Sequence, residues 1–175
     1  MPVLTTARLR LRPQTLDDLP FWIALNADPN VMRYIGDGRP RNAALVEERF
    51  RANLRDREHN LARAPWDDFL LVERKADGER LGMAGILRCE IDSEPDVEIG
   101  WWLTPSAWGN GYATEAALAL RDYAFGVVGL ATLSVVLQPE NKKSIAVATR
   151  IGGEYSGIAK YRGRDVSRYI VRRAR

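Results

Sequence analysis

The stretch Trp108-Gly109-Asn110-Gly111-Tyr112-Ala113-Thr114-Glu115-Ala116 stands between an apolar run ending at Leu103 and a segment with helical spacing. Its two glycines let the backbone approach a ligand closely, because neither carries a Cβ and both tolerate positive φ. The N–H groups of the helical turn that follows all face one way, at the positive end of the helix dipole. Together these features make a cradle for an anion, although Gly-x-Gly before a helix is equally common as a plain tight turn and takes its meaning from its surroundings. Two familiar phosphate loops are excluded. No Gly-Lys-Ser/Thr closes the stretch as in a P-loop, and Thr114 stands where a dinucleotide fingerprint would carry its third glycine.

Downstream, Ala113, Ala116, Ala117, Leu120, Tyr123 and Ala124 repeat at helical spacing over residues 111–127, and Leu130 to Leu137 is a run of the buried-strand type. A second helix is expected from Asn141 to Ile151, stopped by Gly152-Gly153, with strands near 154–160 and 167–173 closing the chain. Upstream, Val97 to Leu103 reads as a strand with Glu98 inside it, ended by Thr104-Pro105. Ser93 to Asp96 turns the chain, and a long strand covers Arg80–Ile91. Lys75-Ala76-Asp77-Gly78 is a hairpin turn joining that strand to Asp68–Arg74. The N-terminal third is mostly helical. After a short strand holding Leu9 and Leu11, Thr15 caps a helix carrying Leu19, Trp22, Ile23 and Leu25, which Asp28-Pro29-Asn30 ends. Val31 to Ile35 adds a further turn, and Asn42 to Asn60 shows Leu45, Val46, Phe50 and Leu54 as one apolar stripe among charges. The class is α+β: antiparallel strands first, then strand, helix, strand, helix, strand, strand.

The chain has 175 residues, against roughly 150 for a typical domain. No repeat, low-complexity tract or linker divides it, so residues 1–175 are expected to form one domain. Apolar residues make up 46% and charged residues 28%, enough to bury a core and far from the composition of disorder. No window holds the ~18–20 consecutive apolar residues of a membrane helix, and the opening residues lack the apolar centre of a secretory signal. A cytoplasmic protein with no membrane partner is expected. Cys89 is the lone cysteine, which excludes an intramolecular disulfide and a thiolate zinc cage and suits a small core filler. The net charge of +3, from 26 basic and 23 acidic residues, is too small to indicate a nucleic-acid binder. Basic residues do gather between Lys160 and Arg175, seven against the single acid Asp165. That run fits the solvated face of a terminal strand better than an RNA-binding tail, which would interleave aromatic stacking platforms.

Glu98-Ile99-Gly100-Trp101-Trp102-Leu103-Thr104-Pro105, then the Trp108–Ala116 stretch, then Asn141-Lys142-Lys143-Ser144 form an ordered set that resembles the Gcn-related N-acetyltransferases (GNAT). The opening Leu4-Thr5-Thr6-Ala7-Arg8-Leu9-Arg10-Leu11-Arg12 and Asp28-Pro29-Asn30-Val31-Met32 resemble the RimJ/RimL-like branch, and the similarity spans essentially the whole chain. The resemblance implies a mixed, mostly antiparallel sheet of about seven strands, flanked by helices and splayed centrally, with acetyl-coenzyme A wedged between the fourth and fifth strands. It implies direct acetyl transfer to an amine, without a metal. The expected partner is therefore an acceptor amine, on a protein N-terminus or a small molecule, and the final strands could serve as a homodimer edge.

Individual residues fit those implications. The diphosphate of coenzyme A needs donors, which the amides of Gly109, Asn110, Gly111, Tyr112, Ala113 and Thr114 supply. The pantetheine arm is an amide chain and pairs with an exposed strand edge around Trp102 and Leu103 as an added strand would. The family usually places Gln or Arg three residues before the first glycine of the loop; Ser106 stands there, which removes a side-chain contact and leaves the backbone donors. Transfer needs an unprotonated amine, whereas lysine-type amines titrate near ~10.4 and α-amines near ~8, so a base is useful. The resemblance assigns that role to Glu98, whose pKa burial would raise, provided it neither faces outward nor pairs with an arginine. Many relatives protonate the departing thiolate with a tyrosine in the helix after the fifth strand. Residues 142–150 contain none, and Ser144, matching the serine of the branch, is the candidate acid. Asn141 would hold the cofactor near its thioester, and both residues equally suit helix capping. Arg33 and Tyr34 are expected to bind the acceptor, with Trp22, Trp66 and Asp37 as contributors, although the tryptophans are natural core residues. Trp101 and Trp102 should point to opposite faces of their strand. His59, among charges, is expected to be solvated. A non-catalytic module binding acyl-CoA or a protein is the alternative, favoured by Ser106 and the missing tyrosine.

Overall fold

The computed structural model describes residues 2–59 and 64–174. The chain opens with β1 (Leu4–Thr5) and β2 (Leu9–Arg12), where leucine alternates with arginine so that Leu9 and Leu11 enter the core and Arg10 meets solvent. Thr15 caps a 3-10 turn (Leu16–Asp18) that leads into α1 (Leu19–Ala27). Asp28 does more than end α1: its Oδ1 accepts from the Asn30 amide at 2.8 Å and caps the short α2 (Pro29–Met32). The amphipathic α3 spans Ala43–His59, and Asn60, expected at its end, lies outside the described residues.

The strands β3 (Asp68–Arg74), β4 (Arg80–Ile91) and β5 (Glu94–Leu103) form an antiparallel meander. The turn between β4 and β5 is tighter than the expected Ser93–Asp96. Asp92 and Ser93 alone make it, at φ 55 and 66, so β5 starts at Glu94 with Pro95 opposite Glu90. Positive φ at both central residues is the two-residue geometry that matches strand twist, and short polar side chains tolerate it. After β5 come α4 (Tyr112–Tyr123), which passes into a wide turn over Ala124–Val128, then β6 (Thr132–Leu137), α5 (Lys142–Arg150), β7 (Gly153–Tyr161) and β8 (Arg164–Arg172).

All strands lie in one eight-stranded sheet in the order β1-β2-β3-β4-β5-β6-β8-β7, one more than expected because the two-residue β1 adds an edge. Every neighbouring pair is antiparallel except β5 and β6, which α4 connects as a parallel crossover. The β4–β5 ladder is continuous from Ile91↔Glu94 to Gly82↔Leu103, whereas β5 and β6 meet in register only at Glu98↔Ser134. From Ile99 onward the two strands diverge. Just below the divergence Arg168 of β8 donates to Asp96 at 2.6 Å and Ser134 donates to the same carboxylate at 2.8 Å, tying β5, β6 and β8 together at the point of the V.

Helices cover both faces, which is why Leu70-Leu71-Val72 in β3 is apolar throughout. Leu9, Leu70, Ile99, Leu120 and Val147 share the core under α4 and α5, while Trp22, Phe50, Leu71 and Met83 pack beneath α1 and α3. Each such fully buried large side chain contributes about 1.5–3 kcal/mol. A polar anchor sits at the edge of this core. Asp18 is buried and accepts from Arg12 at 2.8 and 2.9 Å, from Arg80 at 2.9 Å and from the Thr15 amide at 2.9 Å. Burial opposes its ionisation, but these donors outweigh that and hold the carboxyl at about 2, against 3.8 ordinarily. Among the described residues no helix is long and apolar enough to cross a membrane.

Candidate active site

The divergence of β5 and β6 opens a cleft of about 1300 Å³, walled by Trp101, Trp102 and Leu103, by the segment before and within the first turn of α4, and by the start of α5. Gly109 and Gly111 both lie at φ 78, the left-handed region that glycine occupies without strain. The first hydrogen bond of α4 runs from the Glu115 amide to Gly111 O at 3.0 Å. The amides of Gly111, Tyr112, Ala113 and Thr114 therefore have no helical acceptor and form the positive end of the helix at the cleft. Asn110 is the exception among the expected loop residues: it is exposed beside the cleft, and its Nδ2 donates to Trp108 O at 3.0 Å.

Glu115, in that same first turn, would repel an anion if left bare. It lines the cleft but is neutralised: Thr6 donates to it at 2.6 Å, the Arg8 amide at 2.9 Å and Arg8 Nε at 2.7 Å. Arg8 also donates to Asn110 O at 3.0 Å and lies over the Tyr112 ring at 4.6 Å, so one side chain from the β1–β2 turn clamps the loop and the helix start. Trp108 closes the other side. Its Nε1 donates to Leu103 O at 2.8 Å, and Lys143 Nζ from α5 sits 4.6 Å from its ring centroid.

The free edge of β5 differs in detail from expectation. A Cβ on Gly82 would sit 2.4 Å from Trp102 O, so Trp102 directs its backbone at β4, and alternation turns the N–H and C=O of Trp101 and Leu103 toward the cleft. Trp102 thus belongs to the wall through its side chain, and Trp101 supplies the strand edge with Leu103. The two tryptophans take opposite faces: Trp102 packs on Trp22 at 5.5 Å and on Phe69 at 4.6 Å, while Trp101 joins the core under α4. Trp102 Nε1 is buried without a hydrogen-bond partner among the described residues.

Glu98 stands at the point of the V, on the face shared with Trp102. Its Oε2 accepts from Tyr161 Oη at 2.5 Å, and a Cβ on Gly100 would lie 3.5 Å from its Oε1. Burial pushes its pKa up from 4.5, and the Tyr161 hydrogen bond and the charge of Arg162 only partly counter this. It makes no ion pair with an arginine among the described residues; the nearby Asp96 takes Arg168 instead. Cys89, on the same face, has its thiol pushed up to about 12 by burial and by Glu98 and Asp96, which makes it an inert filler.

At the start of α5, Asn141 Oδ1 accepts from the Ser144 amide at 3.2 Å, so Asn141 does cap the helix while lining the cleft. The Ser144 hydroxyl also faces that cleft and has no hydrogen-bond partner among the described residues. Arg33 and Tyr34 line it from the segment after α2, the guanidinium 5.2 Å from the ring centroid. Trp22 is core, Trp66 is partly buried beneath Arg88, and Asp37 and His59 are exposed. No cluster of three or more His, Cys, Asp or Glu side chains among the described residues could hold a metal.

The arrangement suits a long, flexible ligand with a polyanionic end. Unpartnered amides meet the anion, a strand edge meets an amide chain, a free hydroxyl lies on the α5 wall, and a buried carboxylate of raised pKa stands where β5 and β6 last pair. Three functional elements escaped the sequence reading: Tyr161, Trp101 as an edge, and Arg8 as a clamp. Nothing local marks them, since each acts on a residue that only the sheet order brings near.

Comparison with known proteins agrees with this geometry. Residues 8–154 match the acetyltransferase (GNAT) domain family. The uncharacterized protein YkkB of Bacillus subtilis is 33% identical over 167 residues, covering 95% of this chain and 93% of its own. The crystal structure of an acetyltransferase from Agrobacterium tumefaciens str. C58 shares 33% identity and a TM-score of 0.79 over 99% of this chain and 95% of that one. At 16% identity, a RimL ribosomal L7/L12 alpha-N-protein acetyltransferase in complex with coenzyme A shares the fold, with a TM-score of 0.76 over 98% of each chain.

Proposed function

The chain belongs to the GNAT family of acetyltransferases and is an acetyl-coenzyme A-dependent N-acetyltransferase; from that premise we propose that it acetylates a primary amine at the V between β5 and β6, with Glu98 as base and Ser144 as acid. The observation that carries this reading is the register. β5 and β6 pair only at Glu98↔Ser134, and just beyond that point the Trp101 and Leu103 edge and the α4 amides line one cleft.

Bound there, acetyl-coenzyme A supplies an activated thioester carbonyl. The amides of Gly111 to Thr114 hold its diphosphate, with Gly109 giving the backbone room to approach. The N–H and C=O of Trp101 and the Leu103 N–H align its amide arm; Leu103 O is already taken by Trp108. Glu98 removes the proton of the acceptor ammonium, a transfer favoured by a carboxylate whose pKa lies above the usual range. Tyr161 fixes Oε2 and leaves Oε1 as the accepting oxygen. The nitrogen lone pair forms the C–N bond as the C–S bond breaks, Ser144 gives its proton to the sulfur and is reprotonated by the second proton that the new amide nitrogen sheds, and the proton held by Glu98 returns to solvent. Asn141 keeps the Ser144 turn in place through its cap.

The acceptor is a protein N-terminal α-amine, as the RimJ/RimL-like opening of the chain suggests. That reading is supported by the residues Leu4–Arg12 and Asp28–Met32 and by the shared fold with RimL. A thiol-release assay with acetyl-coenzyme A and a panel of N-terminal peptides, polyamines and aminoglycosides tests it. Amine-dependent thiol release is the expected result. Tight coenzyme A binding with no turnover on any amine would return the chain to the non-catalytic module.

A further inference from the structure

Ten of the twenty described arginines form ion pairs. Arg8 pairs with Glu115, Arg12 and Arg80 with Asp18, Arg168 with Asp96 and Arg172 with Glu154. The unpaired ones are spread over the molecule, Arg49, Arg88 and Arg150 among them, but five gather where the segment after α2 meets the β7–β8 turn. Arg33 on the cleft wall, Arg39 and Arg41 in the loop after α2, and Arg162 and Arg164 in the β7–β8 turn have no ion-pair partner among the described residues. Within the basic run toward the C-terminus, Arg168 and Arg172 on the strand are paired, whereas Arg162 and Arg164 in the turn are not.

These arginines belong to one surface. Arg164 donates to Gly36 O, which joins the β7–β8 turn to the α2–α3 loop. The Arg162 guanidinium lies 5.1 Å from the ring centroid of Tyr161, whose hydroxyl holds Glu98. Arg41 is half-buried, bonded to Asn26 Oδ1 at 3.1 Å, and its pKa is lowered by burial and by the like charges of Arg49 and Arg162. Facing them are three carboxylates: Asp37, Glu98 itself, and Asp96, which Arg168 already takes. Five guanidiniums against Asp37 and Glu98 leave a surplus of positive charge, and each presents a planar fork matched to a carboxylate.

We propose that the acceptor is an anionic amine, the N-terminus of a peptide whose next residues are acidic, with Arg33, Arg162 and Arg164 binding the carboxylates while the amine reaches Glu98. This rests on the acetyl-transfer reading above and narrows its acceptor. A polyamine brings further cations into a field that already lacks anions and is repelled, whereas an acidic segment is drawn in and held.

The test uses the full chain at saturating acetyl-coenzyme A and peptides that share Ser at position one and differ only in the following residues: acidic, uncharged or lysine. Free glutamate and spermidine complete the panel. The acidic peptide is expected to exceed the uncharged one by about tenfold in kcat/KM, with the lysine peptide and spermidine below both, and the advantage should shrink as salt rises. Arg162→Gln/Arg164→Gln, both on exposed residues, should remove most of that advantage through KM, and the lysine pair at the same positions should restore part of it. KM for acetyl-coenzyme A should not move. Calorimetry with an already N-acetylated acidic peptide on coenzyme A-loaded protein should follow the same order. Equal or better use of uncharged or lysine peptides, preference for free glutamate over every peptide, or a loss of acetyl-coenzyme A affinity in the variants would each overturn the proposal. No thiol release with any acceptor would defeat the acetyl-transfer reading, and the calorimetric order would still decide whether the arginines select acidic peptides.

Discussion

Tyr161 Oη donates to Glu98 Oε2 at 2.5 Å, joining the end of β7 to the middle of β5 where the sheet begins to open. The bond favours the ionised carboxylate, while burial and Asp96 favour the neutral acid, and burial prevails. Turnover should therefore rise with pH through a Glu98 pKa above 4.5, because only the ionised form accepts a proton. Tyr161→Phe removes a donor to the charged form, so that limb of the kcat/KM profile should move to higher pH with little change in KM for acetyl-coenzyme A. Glu98→Gln should lower kcat by about 10²–10⁴ with coenzyme A affinity retained. An unmoved or lowered limb in Tyr161→Phe would remove Tyr161 from this role.

Ser144 and Asn141 can be separated by what each change costs. Ser144→Ala leaves the cap intact, since the Asn141 side chain bonds the Ser144 backbone, and should lower kcat without changing stability. Asn141→Ala loses the cap and should cost about 1 kcal/mol in chemical denaturation as well as raising KM for acetyl-coenzyme A. A Ser144→Ala variant with unchanged kcat would leave the proton for sulfur to solvent.

Glu98 stands in the sequence as a carboxylate inside an apolar strand, but alternation alone does not say which face is wet, and only its burial against Tyr161 decides it. The glycine turn before α4 was legible because glycine spacing before a helix is a local signal, as were the strands β3 and β4, whose Asp77-Gly78 turn fixes their pairing. The role of Trp101 was hidden because which backbone groups of β5 point away from β4 depends on a register set by the Asp92-Ser93 turn. Arg8 and Tyr161 were hidden for a different reason: their partners lie 107 and 63 residues away, and no periodicity encodes such contacts.

Asp18 gives the fold a pH dependence that is independent of the active site. Its carboxyl is held at about 2 in the folded protein against 3.8 ordinarily, so the ionised form stabilises the fold by about 2 kcal/mol at neutral pH. Because the folded value is the lower one, that contribution is present above about pH 4 and is lost as pH falls toward about 2. Asp18→Asn should flatten denaturation midpoints across this window and, by stranding Arg80 and leaving Arg12 with Glu73 alone, cost about 2–4 kcal/mol at pH 7. Wild-type and variant midpoints that fall in parallel below pH 4 would contradict the assignment.

The clamp at the α4 start makes a separate prediction. Arg8→Ala leaves Glu115 facing the free amides with its main counter-charge gone, so acetyl-coenzyme A affinity should fall by about tenfold while the melting temperature without ligand changes little. Glu115→Gln in the same background should recover binding. Failure of that second change to recover it would mean that Arg8 acts through loop shape and not through charge.

The seating of the donor in the opened sheet is tested most directly by titrating coenzyme A into the ¹⁵N-labelled protein and following backbone amide resonances. The largest shifts are expected at Gly109, at Gly111 to Thr114, and at Trp101 and Leu103. Saturable binding that leaves those amides unmoved, or shifts confined to the other end of the sheet, would contradict it.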